Sequence, residues 1–165
     1  EELARKADPN DHTYIVPAFS GLGAPWWRDD IYASISGMSR TTGREEIVKA
    51  GCECIAYQIN DVIDAMRKDS EIDISQMCVD GGPTRNKYLM QFQSDISQTE
   101  IKIPDAEELS VIGAGYLAGE SAGYYEPDDI YKAITYNFFE TEMPEQERNE
   151  KVQGWNEAVE MLLKK

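Results

Sequence analysis

Histidine is almost missing from this chain: His12 is the single one in 165 residues. A zinc site built on histidines is therefore excluded, and a histidine-centred catalytic triad would have to use a residue near the chain's start. Cysteine is scarce and odd in number, with Cys52, Cys54 and Cys78. A C-x-C pair plus one thiol makes neither a disulfide framework nor a zinc-ligand spacing, so free, buried thiols in a reducing cytoplasm are expected. No apolar run nears the ~20 residues that span a bilayer. No signal peptide is visible, and the first residue is Glu1 rather than Met, which suggests a piece of a longer polypeptide. Basic residues are few, 16 against 31 acidic, for a net charge of −15. Such a surface keeps the chain in solution and repels nucleic acid and anionic membranes. It also repels nucleotides, so any nucleotide site must rest on local backbone N–H groups.

What is present is enough apolar sequence, 41%, to bury a core in one domain. The order of patterns predicts an α/β layered domain with some parallel pairing. The tail of a helix and a polar turn, Asp8 to Asp11, precede a β-prone run, Thr13 to Val16. A Gly/Pro-rich loop follows, and its three aromatics, Phe19, Trp26 and Trp27, are expected to be packed down. Ile31 to Met38 reads as a strand. Thr42-x-x-Glu45 fits a capping box, opening a helix to about Lys68. Val48, Cys52, Ile55, Ile59, Val62 and Met66 form its apolar stripe. A strand over Gln76–Val79 leads into a helix whose buried face is Leu89, Phe92 and Ile96. Glu100 to Ile103 is a strand stopped by Pro104. Ser110 to Tyr124 is a helix of small residues, expected to lie tight against a neighbour. Pro127 to Ile134 is a short helix, Thr135 to Phe139 is extended, and a last helix runs from about Pro144 to Leu163.

The segment with most chemistry is Val79-Asp80-Gly81-Gly82-Pro83-Thr84-Arg85-Asn86. It joins a strand to a helix through two glycines. Without side chains there, a ligand can lie against the backbone, and the helix start offers unpaired N–H groups and a positive dipole end. Asn86 carries both a donor and an acceptor for a base. The same residues also suit a plain turn with Asn86 as helix cap. Asp80 is expected to stabilise the turn. No G-x-G-x-x-G run follows a first strand, which excludes a dinucleotide-binding Rossmann domain.

Several pieces, in order, resemble the C-terminal domain of the FGGY carbohydrate kinases, and within that family the glycerol kinases. They are Val16-Pro-Ala-Phe-Ser-Gly-Leu-Gly-Ala-Pro-Trp26, Gly37-Met-Ser-Arg-Thr41, Ile55-Ala-Tyr-Gln58 with Val62-Ile-Asp-Ala-Met66, and Val79-Asp-Gly-Gly82 with Asn86. Leu89-Met-Gln-Phe-Gln-Ser-Asp-Ile96, Gly113-Ala-Gly-Tyr-Leu-Ala-Gly119, Glu147-Arg-Asn149, Gly154-Trp155 and Ala158-Val159 complete the series. The resemblance implies an RNase H-like domain of the actin/hexokinase-type ATPases. Residues 1–165 would be the C-terminal, nucleotide-binding domain of a two-domain kinase, ending in a helix over 144–165. Its first strands would lie upstream, leaving an open sheet edge. It also implies ATP bound at Gly81, Gly82 and Asn86, with the general base, the Mg²⁺ ligands and most acceptor contacts upstream. This chain alone would then be inactive. The implied acceptor is glycerol or a related polyol or sugar, in a cytoplasmic homo-oligomer. Cys52-Glu-Cys54 replaces the family's usual Leu-Glu-Ser, and Tyr32-Ala33 an Arg-Gly pair. These departures keep a pentulose such as xylulose open as acceptor, beside a non-catalytic actin-like interaction module.

Overall fold

The computed structural model describes residues 1–70, 72–105, 109–124, 126 and 134–164. Helix α1 (Glu2–Lys6) leads to strand β1 (Tyr14–Val16), an aromatic and two β-branched residues suited to a pleated surface. β1 pairs antiparallel with β2 (Ser34–Ser36), Ile15 opposite Ile35. Then come α2 (Arg44–Ser70), β3 (Gln76–Cys78), a 3₁₀ turn (Gly82–Arg85), α3 (Lys87–Ser97) and β4 (Glu100–Pro104). The chain continues through α4 (Leu109–Ser121), β5 (Tyr136–Phe139) and α5 (Glu145–Leu163). β3 and β4 are parallel and joined through α3, and β5 adds antiparallel to the other edge of β4. The expected helix over Pro127–Ile134 falls on residues of which 127–133 lie outside the described ones.

The core gathers where α2, α3 and α5 meet. Tyr57 of α2 stacks on Trp155 of α5, ring centroids 5.1 Å apart, and takes Phe92 of α3 edge-on at 5.4 Å. Asp61, one turn further along α2, accepts the indole N–H of Trp155 at 2.9 Å and of Trp26 at 3.0 Å. Val16, Ile96, Ile101 and Val159 are fully enclosed around this knot. Two arginines bind the layers through carbonyls. Arg67 donates to Ser97 O and Ile74 O, each at 2.9 Å, which anchors the chain entering β3 beside α3's exit. Arg148 donates to Ile96 O at 2.9 Å and ties α5 to α3.

Four local readings are corrected. In the aromatic loop Trp26 packs down, but Phe19 and Trp27 stand 83% and 78% exposed. The strand expected over Ile31–Met38 shortens to three residues. At α2's start Gly43 N–H donates to Glu46 Oε2 at 2.8 Å, one residue past the predicted glutamate. Thr42 Oγ1 is occupied elsewhere, donating to Asp11 and accepting from Ser39 N–H. The predicted α2 stripe is also rotated: Ile55, Val62 and Met66 are exposed, while Ala50, Cys54, Ala56, Tyr57, Asn60 and Ile63 face the core. Small residues let α3 and β1 approach on that side, and Tyr57 fills the space between them. The close contact expected of the small residues of α4 is not met at Gly113 or Gly115 among the described residues. Among the described residues, a Cβ at Gly113 or Gly115 would meet nothing within 4 Å, and Val111 and Leu117 are exposed.

Candidate functional site: the glycine turn at the start of α3

β3 ends beside β4, with Val79 N–H still donating to Lys102 O at 3.0 Å. The chain then turns sharply. Gly81 has φ +97°, a conformation costly for any residue with a Cβ, so the first glycine is required by the backbone. Gly82 is different. A Cβ built there meets nothing within 4 Å, so this position opens onto empty space on the surface. The turn is closed by Thr84, whose backbone N–H and Oγ1 both donate to Gly81 O, at 3.0 and 2.7 Å. Asp80 is exposed and its carboxylate makes no hydrogen bond among the described residues, so Thr84 does the bracing expected of Asp80.

Asn86 begins α3 as its cap. Its Oδ1 accepts Leu89 N–H at 3.2 Å, and its Nδ2 points to the Cys52 Sγ at 3.8 Å. The capping role foreseen for Asn86 is thus real, and it fixes which way the amide faces. Gly81 and Gly82 are exposed and Asn86 is half-buried, in the turn that carries the chain from the C-terminal end of β3 to the start of α3. The Glu1 side chain reaches the same helix start, accepting Lys87 N–H at 3.2 Å, where a carboxylate suits the dipole. The Arg5 guanidinium, hydrogen-bonded to it, holds the Glu1 carboxyl below its ordinary range.

Near the turn lies a polar pair that the sequence did not announce, Glu53 buried and Tyr88 half-buried. Tyr88 Oη donates to Glu53 Oε1 at 2.5 Å across 35 residues of sequence. Burial pushes the Glu53 carboxyl above its ordinary 4.5, partly offset by Lys49 and the Tyr88 hydroxyl. Burial, next to Glu53, raises the Tyr88 phenol as well. No spacing rule links Glu53 to Tyr88, because they sit on different helices.

Residues 1–122 match the FGGY family of carbohydrate kinases, C-terminal domain. This chain belongs to that family. It is 45% identical over 166 residues to the glycerol kinase of Natranaerobius thermophilus and 42% identical over 166 residues to that of Bacillus subtilis. Each alignment covers 99% of this chain and 33% of the relative. The crystal structure of Plasmodium falciparum glycerol kinase with ADP superposes with a TM-score of 0.88 at 38% identity, covering 98% of this chain and 33% of that one. A Brucella ovis xylulose kinase shares the fold, with a TM-score of 0.82 at 20% identity over 98% of this chain and 35% of that one. The fold is therefore that of the actin/hexokinase-like ATPases, as expected from the sequence. The chain spans about a third of the length of the curated relatives it matches. No helix among the described residues is long and apolar enough to cross a membrane.

The buried pair gives this FGGY domain a testable pH response. A carboxyl whose folded pKa is raised holds a proton that the unfolded chain releases above 4.5. Its contribution to stability is therefore greatest below that value and is lost as pH rises through the folded pKa. Glu53→Gln keeps an acceptor for Tyr88 and removes the titration. Urea unfolding at a series of pH values from 5 to 8 is expected to show a shallower decline with rising pH in the variant. Parallel curves for the two proteins would remove Glu53 as the source.

Proposed function

We propose that this chain is the nucleotide-binding part of an ATP-dependent kinase that moves the γ-phosphate to a hydroxyl of glycerol. The carrying observation is a glycine turn with Gly82 open to space, beside the capped start of α3, in a chain of the FGGY family. A flat base fits against a backbone with no Cβ, and Gly81 gives the turn its direction. Asn86 holds its amide in one orientation, with Nδ2 on the Cys52 side and Oδ1 engaged by the helix. The likeness to the Plasmodium enzyme with ADP supports a nucleotide at such a wall, and identities of 42–45% to glycerol kinases support glycerol over xylulose.

This chain's contribution would be to bind and orient the nucleotide. Phosphoryl transfer depends on positioning and on neutralising charge with a metal and donors. Among the described residues no group of three or more His, Cys, Asp or Glu could hold a metal ion. In this reading magnesium and the base that takes the acceptor's proton belong to the rest of the full-length protein, in the cytoplasm.

Two measurements test this. With the full-length protein, ATP and a panel of glycerol, xylulose and gluconate, ADP release is expected to be fastest with glycerol. Preference for xylulose would move the acceptor, and no turnover with any polyol would leave a non-catalytic module. Substitution at Asn86 separates cap from ligand contact. Asn86→Ala loses the cap, about 1 kcal/mol, along with the amide. Asn86→Asp keeps the cap acceptor and loses the donor. Nucleotide titration is expected to weaken roughly fivefold or more in both, the scale of one lost hydrogen bond. Retained affinity in the aspartate variant would remove the Asn86 amide from the site.

A further inference from the structure

A cavity of about 370 Å³ opens where α1 and the turn after it face α2, α3 and α5. A neighbouring one of about 300 Å³ shares Pro9, Glu53, Glu147 and Lys151 with it, so Glu53 borders both. Gly81, Gly82 and Asn86 are in neither wall.

Two charged side chains of opposite sign are buried in the larger wall, Lys49 at 7% exposure and Glu53 at 5%. They stand one helical turn apart on α2, a spacing at which opposite charges can meet. Here they form no ion pair, with each other or with any other side chain among the described residues. The Lys49 Nζ makes one hydrogen bond, to Asp8 O at 3.2 Å, and an ammonium has three N–H donors. Glu53 Oε1 takes the Tyr88 hydroxyl, while no hydrogen bond reaches Oε2 among the described residues. That oxygen is not sealed in protein. Among the described residues, Asn60 Oδ1 alone is fully buried without a partner, so Glu53 Oε2 has surface on the cavities. Burial raises the Glu53 carboxyl and Lys49 offsets this only in part, as fits two charges that do not touch. Buried charges without a counter-ion are costly, and a ligand that pairs them removes that cost.

The other charges around the larger cavity are more fully engaged. Asp95 Oδ1 accepts Glu142 and Met143 N–H at 2.8 and 3.1 Å. Arg5 is held by Glu1. Lys151 lies 3.8 Å from Glu147 and adds a second cation at the wall. Ala4, Ala7, Pro9, Phe92 and Met143 supply apolar surface.

We propose that this cavity binds a small zwitterion, an α-amino acid with an apolar side chain. Its carboxylate meets the spare N–H donors of Lys49, its ammonium meets Glu53 Oε2, and its side chain lies on the Phe92 and Met143 surface. Both ends are required, because an anion alone leaves Glu53 unpaired and a cation alone leaves Lys49 unpaired. A ligand of no net charge also suits a chain of net charge −15, which repels free anions.

Calorimetric titration of the full-length protein with L-leucine tests this against two single-ended controls. Isocaproate keeps the stem and carboxylate without the ammonium, and isoamylamine keeps the stem and ammonium without the carboxylate. Saturable binding is expected for L-leucine, with each control weaker by roughly tenfold or more, the scale of one lost charged hydrogen bond. This comparison needs no variant. Glu53→Gln keeps an acceptor for Tyr88 and removes the negative charge, and Lys49→Met keeps the stem and removes the ammonium. Each is expected to weaken L-leucine roughly tenfold or more. L-leucine should raise the melting temperature of the wild type and of neither variant at the same concentration. The proposal is overturned by the absence of saturable L-leucine binding, by a single-ended control that binds as tightly, or by wild-type affinity in both variants.

Discussion

Gly82→Val in the full-length protein is expected to weaken ATP binding tenfold or more, roughly 1.4 kcal/mol, while the protein still folds. The two halves of this result have separate causes. A Cβ at Gly82 meets nothing within 4 Å, so the valine side chain enters open space and displaces no part of the protein. Surface substitutions of that kind usually change stability by about 0.5 kcal/mol or less. A ligand laid on the backbone, by contrast, meets the new isopropyl group directly. Gly81 is the matching control. Its φ of +97° strains any side chain, so Gly81→Ala is expected to cost roughly 1 kcal/mol of stability. Calorimetric ATP titration together with a thermal melt separates the two. Unchanged ATP affinity in Gly82→Val would remove the glycine turn from the nucleotide site, whatever happened to the melt.

Trp155→Ala is expected to give the largest loss of stability of any single change considered, about 3–5 kcal/mol. Trp155 is 1% exposed, stacked on Tyr57 within 6° of parallel, and hydrogen-bonded to Asp61. Its removal opens a hole between α2 and α5 and takes one of two donors from a half-buried carboxylate whose pKa burial already raises. At 2–4 °C per kcal/mol for a domain of this size, the melting temperature of this domain should fall by roughly 10 °C. Trp27→Ala removes an equally large side chain from a site 78% exposed and should leave the melt nearly unchanged. A small effect at Trp155 would mean that the stack between α2 and α5 does not carry the core.

Much of the architecture was legible before any coordinates. Gln76–Cys78, Lys87–Ser97 and Glu100–Pro104 formed as expected, because each has a clear period bounded by glycine, asparagine or proline. Leu89, Phe92 and Ile96 are buried as their spacing required. The failures share a cause. On α2 the sequence offers apolar residues on more than one side, and periodicity cannot say which side meets a neighbour. The strand at Ile35 is short because its pairing ends where β1 ends. In the helix of small residues, a Cβ at Gly113 or Gly115 would meet no close neighbour among the described residues, and small side chains permit an approach without compelling one.

By itself, then, the sequence determined the α/β order, the family, and the position of Gly81, Gly82 and Asn86 at a strand-to-helix turn. These follow from local backbone demands and from motif order, which are properties of neighbours along the chain. The tertiary structure alone decided that Gly82 opens to space while Gly81 is held by its φ, and that Asn86 caps α3 with its amide turned toward Cys52. It also decided that Glu53 meets Tyr88, and that two tryptophans share one oxygen of Asp61. Those pairings join residues 34 to 94 positions apart, and nothing along the chain encodes which helix faces which until the apolar surfaces have been buried together.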